Sequence, residues 1–121
     1  MKTFILVILI VLSYNLCYSQ TEITPSKAKF FVGEQVLVTG KIKEIKEGSS
    51  GDLFLNFEKK SPNTPLAIVI YSYDRANIQS AFMIKWVNLV NVTITVSGIV
   101  ETYENKPGII LKKADQIVSI D

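Results

Sequence analysis

The sequence has no histidine and only one cysteine, Cys17, in 121 residues. Without histidine there is no Ser–His–Asp or Cys–His catalytic pair and no histidine-ligated zinc. Cys17 falls within the first twenty residues, so the remainder has no thiol, no disulfide and no soft metal ligand. Neither sign of charge dominates: 13 basic residues face 11 acidic ones. A chain so close to neutral lacks the strong basic surplus usual in a sequence-independent nucleic-acid binder. There is no internal repeat, low-complexity tract or linker. The carboxylates are scattered, and Glu44 and Glu47 flank a flexible loop without a base or a ligand cluster beside them. A paired-carboxylate site would need a cleft that so short a chain hardly provides. The expectation is a protein that is not an enzyme and holds neither metal nor cofactor.

Long apolar runs are equally few. The longest opens the chain, from Phe4 to Leu12, after the basic Lys2 and before a more polar stretch that ends at small Ser19. That is the layout of a secretory signal peptide, and the run is too short to span a bilayer, which takes about 20 residues. Cleavage is expected after Ser19 or Gln20. Leu16 stands where lipidation of Cys17 would require a small residue, so a lipid anchor is not expected. Residues 1–19 are thus read as leader and 20–121 as one domain, which is enough for a modest core without staples. The expected location is periplasmic or secreted, with no membrane span after cleavage.

What is present is alternation. Thr24 and Pro25 mark a helix start and Gly33 its end, giving a short helix over 25–31. A strand is expected over 35–46, where Val36, Val38, Gly40 and Ile42 share one face; Ile45 breaks the parity, which signals a bulge. Strands follow over 52–57 and 66–71, separated by a connection with two prolines. Ile78, Phe82 and Trp86 recur every fourth residue, with Ile84 nearby, as in a short helix or irregular connector. Trp86 is expected to plug one end of the core. A fourth strand spans 92–103, with Val92, Ile94 and Val96 on one face and Thr93, Thr95 and Ser97 on the other. Residues 104–108 read as a hairpin turn, 109–111 begin a fifth strand, and 116–120 form a last extended piece. Gly40 and Gly98, both mid-strand, are expected to be structural.

Five strands with an insertion between the third and fourth is the element order of the OB-fold, a Greek-key barrel. The sequence also resembles small bacterial OB-fold domains grouped with nucleic-acid-binding, anticodon-binding-like modules. The likeness is carried by "ITPSKAKFFVGEQVLVTGKI" (23–42), "GDLFLNF" (51–57), "LAIVIYS" (66–72), "VTITVSGIVETYENKPGIIL" (92–111) and "QI" (116–117). Its most family-like element is Val-x-Gly-x-Ile/Val, present at 38–42 and 96–100. The resemblance implies an all-β, five-stranded OB-fold barrel with a short N-terminal helix and a helical connector between strands three and four. It further implies a non-catalytic binding module for single-stranded nucleic acid.

The ligand face of such a barrel is built mainly from strands two and three, rimmed by the loops joining strands one to two and four to five, and here the expected face takes in strands one to three. On that alignment Phe54, Tyr71 and Tyr103 are expected to stack on the ligand, and Asn56 to hydrogen-bond it. Lys41, Lys43 and Lys106 are expected to meet phosphates. Tyr73 lies at the exit of strand three, while Lys59-Lys60 and Lys112-Lys113 read as solvated edges. Export and near-neutrality keep a second expectation open: an envelope or secreted module that binds a protein or saccharide instead.

Overall fold

The computed structural model describes residues 20–83 and 85–121. The leader read over 1–19, and Ile84 in the connector, lie outside the described residues. Among the described residues the chain is mostly β, with an OB-like arrangement: a seven-stranded sheet that curls into a partial ring, one α-helix and three short 3-10 turns. The strands are β1 (Thr21–Ile23), β2 (Gln35–Glu47), β3 (Leu53–Phe57), β4 (Ala67–Ile70), β5 (Thr93–Tyr103), β6 (Lys106–Ile110) and β7 (Ile117–Ile120). Helix α1 (Ser72–Phe82) stands between β4 and β5. The strand order is β1-β2-β3-β4-β6-β5-β7, and β2 pairs additionally with β5. Two strands exceed the expected five. Residues 21–23 pair in parallel with β2, where only a helix approach was expected, and the last extended piece pairs with β5.

The long strand β2 serves two neighbours because it bends. Its first half pairs with β5 from Gln35 to Lys41 and its second half with β3 from Ile42 to Glu47. The register slips between Ile42 and Glu44, leaving Lys43 as the extra residue. This is the bulge that the misplaced parity of Ile45 announced. Before it, Val36, Val38 and Ile42 point into the core; after it, Ile45 packs against the core opposite Leu55. Glu44 and Lys46 are thereby turned to the outer face, opposite Asn56 and Phe54.

The interior is apolar. Phe57, Ile42, Leu55, Leu66, Ile68, Ile70, Ile94 and Ile109 are almost wholly buried. Each such side chain contributes about 1.5–3 kcal/mol relative to exposure. Ile78 of α1 and Trp86 of the following 3-10 turn (Trp86–Leu89) join the same cluster, with Phe82 packed against it. Pro25 and Ala28, in the 3-10 turn Pro25–Phe30, are also buried; this turn replaces the expected helix over 25–31.

The two mid-strand glycines permit contact. A Cβ on Gly98 would stand 2.6 Å from Cγ2 of Ile109, and one on Gly40 would stand 2.7 Å from Cγ of Pro25. The β5–β6 hairpin turns on Glu104 and Asn105, both with positive φ (50° and 66°). That geometry belongs to a two-residue type I′ turn, so β6 starts at Lys106, before Pro107 and Gly108.

Candidate functional site

A groove of about 340 Å³ lies on the outer face of the sheet. Phe54, Asn56 and Ala67 form its floor. One rim is Lys46, Glu47 and the loop 48–52; the other is Tyr103, Glu104, Lys106 and Pro107 of the β5–β6 hairpin. Ser61 and Thr64, from the connection between β3 and β4, also line it.

The floor is aromatic because of strand parity. Leu53, Leu55 and Phe57 point inward and are buried, so Phe54 and Asn56 point out. The Phe54 ring is half-buried, with its centroid 5.7 Å from that of Tyr103 and the planes tilted by 53°. On its other flank a Cβ placed on Gly48 would come within 3.2 Å of the ring. Phe54 is therefore held between a loop backbone and a second ring, in a tilted aromatic geometry favoured by the ring quadrupoles. Burial is the main cause that raises the Tyr103 pKa above its ordinary value, and the carboxylates of Glu104 and Asp52 add to it, with Tyr71 nearby.

The first rim is tied to α1. Asp52 Oδ1 accepts the Ser72 amide at 3.0 Å, capping the helix from outside its own sequence. Arg75 donates to the Gly51 carbonyl at 2.9 Å and also to the Glu47 carboxylate. Within the loop, the Gly48 amide reaches the Asp52 carbonyl at 2.8 Å and the Gly51 amide reaches the Gly48 carbonyl at 3.0 Å. Gly51 has φ 89°, a conformation that glycine adopts without a steric penalty.

Asn56 is only 3% exposed, and its amide nitrogen donates to Glu44 Oε1 at 2.8 Å. The same oxygen accepts the Ser61 amide at 3.0 Å. These two bonds, led by the one from Ser61, hold the Glu44 carboxyl below its ordinary pKa. Lys106 donates from Nζ to the Pro62 carbonyl, joining the hairpin to the same connection. The Thr64 hydroxyl lies 2.8 Å from the Phe57 carbonyl and 2.9 Å from that of Leu66.

Of the seven residues expected from sequence, Phe54, Asn56, Tyr103 and Lys106 come together in the groove. Lys41 and Lys43 are exposed farther back along β2 and do not line it; Lys41 sits opposite Thr93, and Lys43 is the bulge residue. Tyr71 is half-buried outside the groove lining, at the start of α1, with its ring stacked on Tyr73. Lys46, Asp52 and Glu104 line the groove without having been expected. The signal for Lys46 was the parity slip itself, since a bulge before Ile45 puts Lys46 on the face of Phe54. Among the described residues no group of three His, Cys, Asp or Glu is placed to hold a metal ion. Among them, too, no helix is long and apolar enough to cross a membrane.

No family model matches the sequence, and no match is found among the curated proteins. Solved structures do resemble the chain. It is similar to a protein described as an aspartyl-tRNA synthetase from Leishmania major Friedlin, with a TM-score of 0.51 and 12% identity. That likeness covers 79% of this chain and 20% of the other, so this chain spans about a fifth of that protein's length. It is also similar to a chain of the S. pombe Stn1–Ten1 complex, with a TM-score of 0.45, 15% identity and coverage of 72% and 56%. A lipoprotein from Klebsiella pneumoniae described as nucleic acid-binding gives a TM-score of 0.45, 16% identity and coverage of 79% and 92%. At such identities the first likeness is one of fold, and it agrees with the OB-like course of the strands.

Proposed function

We propose that this protein is a non-catalytic, exported OB-type binding module whose ligand is single-stranded nucleic acid. In this reading β2, β3, β4, β6 and β5 act as the five-stranded barrel, and β1 and β7 extend it. The observation that carries the reading is the ring pair of Phe54 on the groove floor and Tyr103 on the β5–β6 rim. Every nucleobase has a π-face, and stacking on such a platform is worth about 1–3 kcal/mol per base without requiring a particular sequence. Tyr71 adds a ring beside the groove. Lys106 and Lys46 offer cations at the rims, and Lys41 and Lys43 offer two more along β2. Asn56 contributes through Glu44 and the shape of the floor.

The test is fluorescence anisotropy with a labelled oligothymidine at two salt concentrations. Few cations stand at the groove, so the salt dependence should be shallow. Two phosphates neutralised give a slope of about −1.4 in log K against log salt on a single strand. Absence of binding at micromolar protein in low salt would discard the reading. The leader has its own test: the N-terminus of the protein recovered from outside the cytoplasm should begin at Gln20 or Thr21.

One observation favours a second reading. The charged groove residues are Lys46 and Lys106 against Glu47, Asp52 and Glu104, a net of one negative charge. Rings, carboxylates and an amide beside a floor without excess positive charge also suit a neutral saccharide. Salt-insensitive binding to an uncharged oligosaccharide, with none to oligonucleotides, would select it.

A further inference from the structure

Tyr71 and Tyr73 flank the first residue of α1, and their rings stack with centroids 5.5 Å apart and planes 20° from parallel. Tyr71 is half-buried, whereas Tyr73 is 74% exposed. A lone exposed apolar side chain is ordinary. Tyr73 differs because its ring is fixed: one face lies on Tyr71, and its backbone is held in the first turn of a helix capped by Asp52.

The pair is continuous with the groove. Tyr71 directly follows β4, whose Val69 stands opposite Phe54. Two residues beyond Val69, Tyr71 shares its parity and so leaves the strand on the outer face that carries Phe54. Two ring pairs, Phe54 with Tyr103 and Tyr71 with Tyr73, thus stand one at the groove and one at the N-terminal turn of α1. The Ser72 amide at that turn is already taken by Asp52, and Asp74 adds a second acid. Two carboxylates repel a phosphate there, so a ring surface is what remains for a passing strand.

We propose that Tyr73, backed by Tyr71, is a second stacking station for a base that leaves the groove past Tyr103, an inference that rests on the nucleic-acid reading above. A strand long enough to leave the groove gains this contact, and one confined to the groove does not.

Tyr73→Ala, Tyr73→Phe and Phe54→Ala should be compared by anisotropy on oligothymidines of about four and about twelve nucleotides, the lower end and upper part of the range one such fold holds. The expected result is that Tyr73→Ala weakens the long oligomer about five-fold or more, at the low end of base–ring stacking, and leaves the short one unchanged. Tyr73→Phe keeps both affinities, since the ring rather than the hydroxyl makes the contact. Phe54→Ala weakens both oligomers. If Tyr73→Ala leaves the long oligomer unaffected while Phe54→Ala weakens it, the second station is overturned and the groove reading stands. If the unaltered protein binds neither oligomer, both fall together.

Discussion

Asp52 and Ser72 join one rim of the groove to a helix: the carboxylate of one, on the loop after β2, accepts the backbone amide that opens α1, at 3.0 Å. The bond satisfies one of the helix's free amides and places a negative charge at the positive end of its dipole. It also fastens the rim to a helix that is anchored in the core through Ile78.

Asp52→Ala should therefore act on both stability and binding. A lost cap costs about 1 kcal/mol, which urea unfolding should register as a lower midpoint with an unchanged slope. Asp52→Asn, which keeps an acceptor, should recover most of the stability. Ligand affinity should fall with Asp52→Ala because the 48–52 rim loosens.

Phe54→Ala and Tyr103→Ala should each reduce ligand affinity more than they reduce stability, since both rings lie on the outer face rather than in the core. The two effects should not add. A tilted aromatic pair is worth about 0.5–1.5 kcal/mol beyond its buried area, and a double-mutant cycle on thermal stability should find a coupling of that order. Additive effects would mean that the rings do not support one another.

Asn56 behaves differently. It is buried and bonded to Glu44, so Asn56→Ala removes a structural partner and leaves a cavity. It should lower stability by about 1–3 kcal/mol, seen as an earlier unfolding midpoint whether or not ligand is present. Asn56→Ser alongside Phe54→Ala is thus a poor test of binding, because it disturbs the floor.

Acidification should release the connection between β3 and β4. The folded Glu44 carboxyl is held below the ordinary 4.5, first by the Ser61 amide and next by Asn56. A depressed folded pKa means stabilisation that is complete above the unfolded value and lost as pH falls through the folded one. Thermal midpoints of the unaltered protein and of Glu44→Gln should differ at neutral pH and converge as the pH falls below 4.5 and through the lower folded value. A constant difference across that window would remove Glu44 from this role.

Gly98→Ala should be among the costlier single-methyl additions, because the new Cβ would meet Ile109 at 2.6 Å. Overpacking of this kind costs about 1–3 kcal/mol. In an Ile109→Ala background, which removes the Cγ2 methyl that the new Cβ would meet, Gly98→Ala should cost less in denaturant unfolding than it does alone.

Alternation was the readable part of this fold. It located β2 to β5 to within about two residues and exposed the bulge through Ile45, because a buried face punishes any parity error. What it could not show was pairing that depends on little side-chain burial. Strand β1 consists of Thr21, Glu22 and Ile23, only three residues with no alternation to speak of, and its existence rests on backbone bonds to β2. The start of β6 was hidden because Pro107 and Gly108 look like turn residues, whereas the turn is made by Glu104 and Asn105 in left-handed conformations. In the groove, Phe54, Asn56, Tyr103 and Lys106 were legible as outward residues of an expected ligand face. Lys41 and Lys43 lie outside the groove lining because the bulge puts Lys46 on the groove-facing side of β2. The Asp52–Ser72 and Arg75–Gly51 contacts bridge residues about twenty or more apart in sequence, and no local pattern reports them.

The single extra residue at Lys43 has a consequence for how this chain can change. Ile42 and Glu44 already stand opposite Phe57 and Asn56, which are neighbours in β3. Removing Lys43 would therefore close a plain ladder with Ile45 still inward and Glu44 and Lys46 still outward, and what would be lost is the bend where β2 passes from β5 to β3. Drawing Lys43 into the ladder instead would press Glu44 and Lys46 into oil and leave Ile45 facing water.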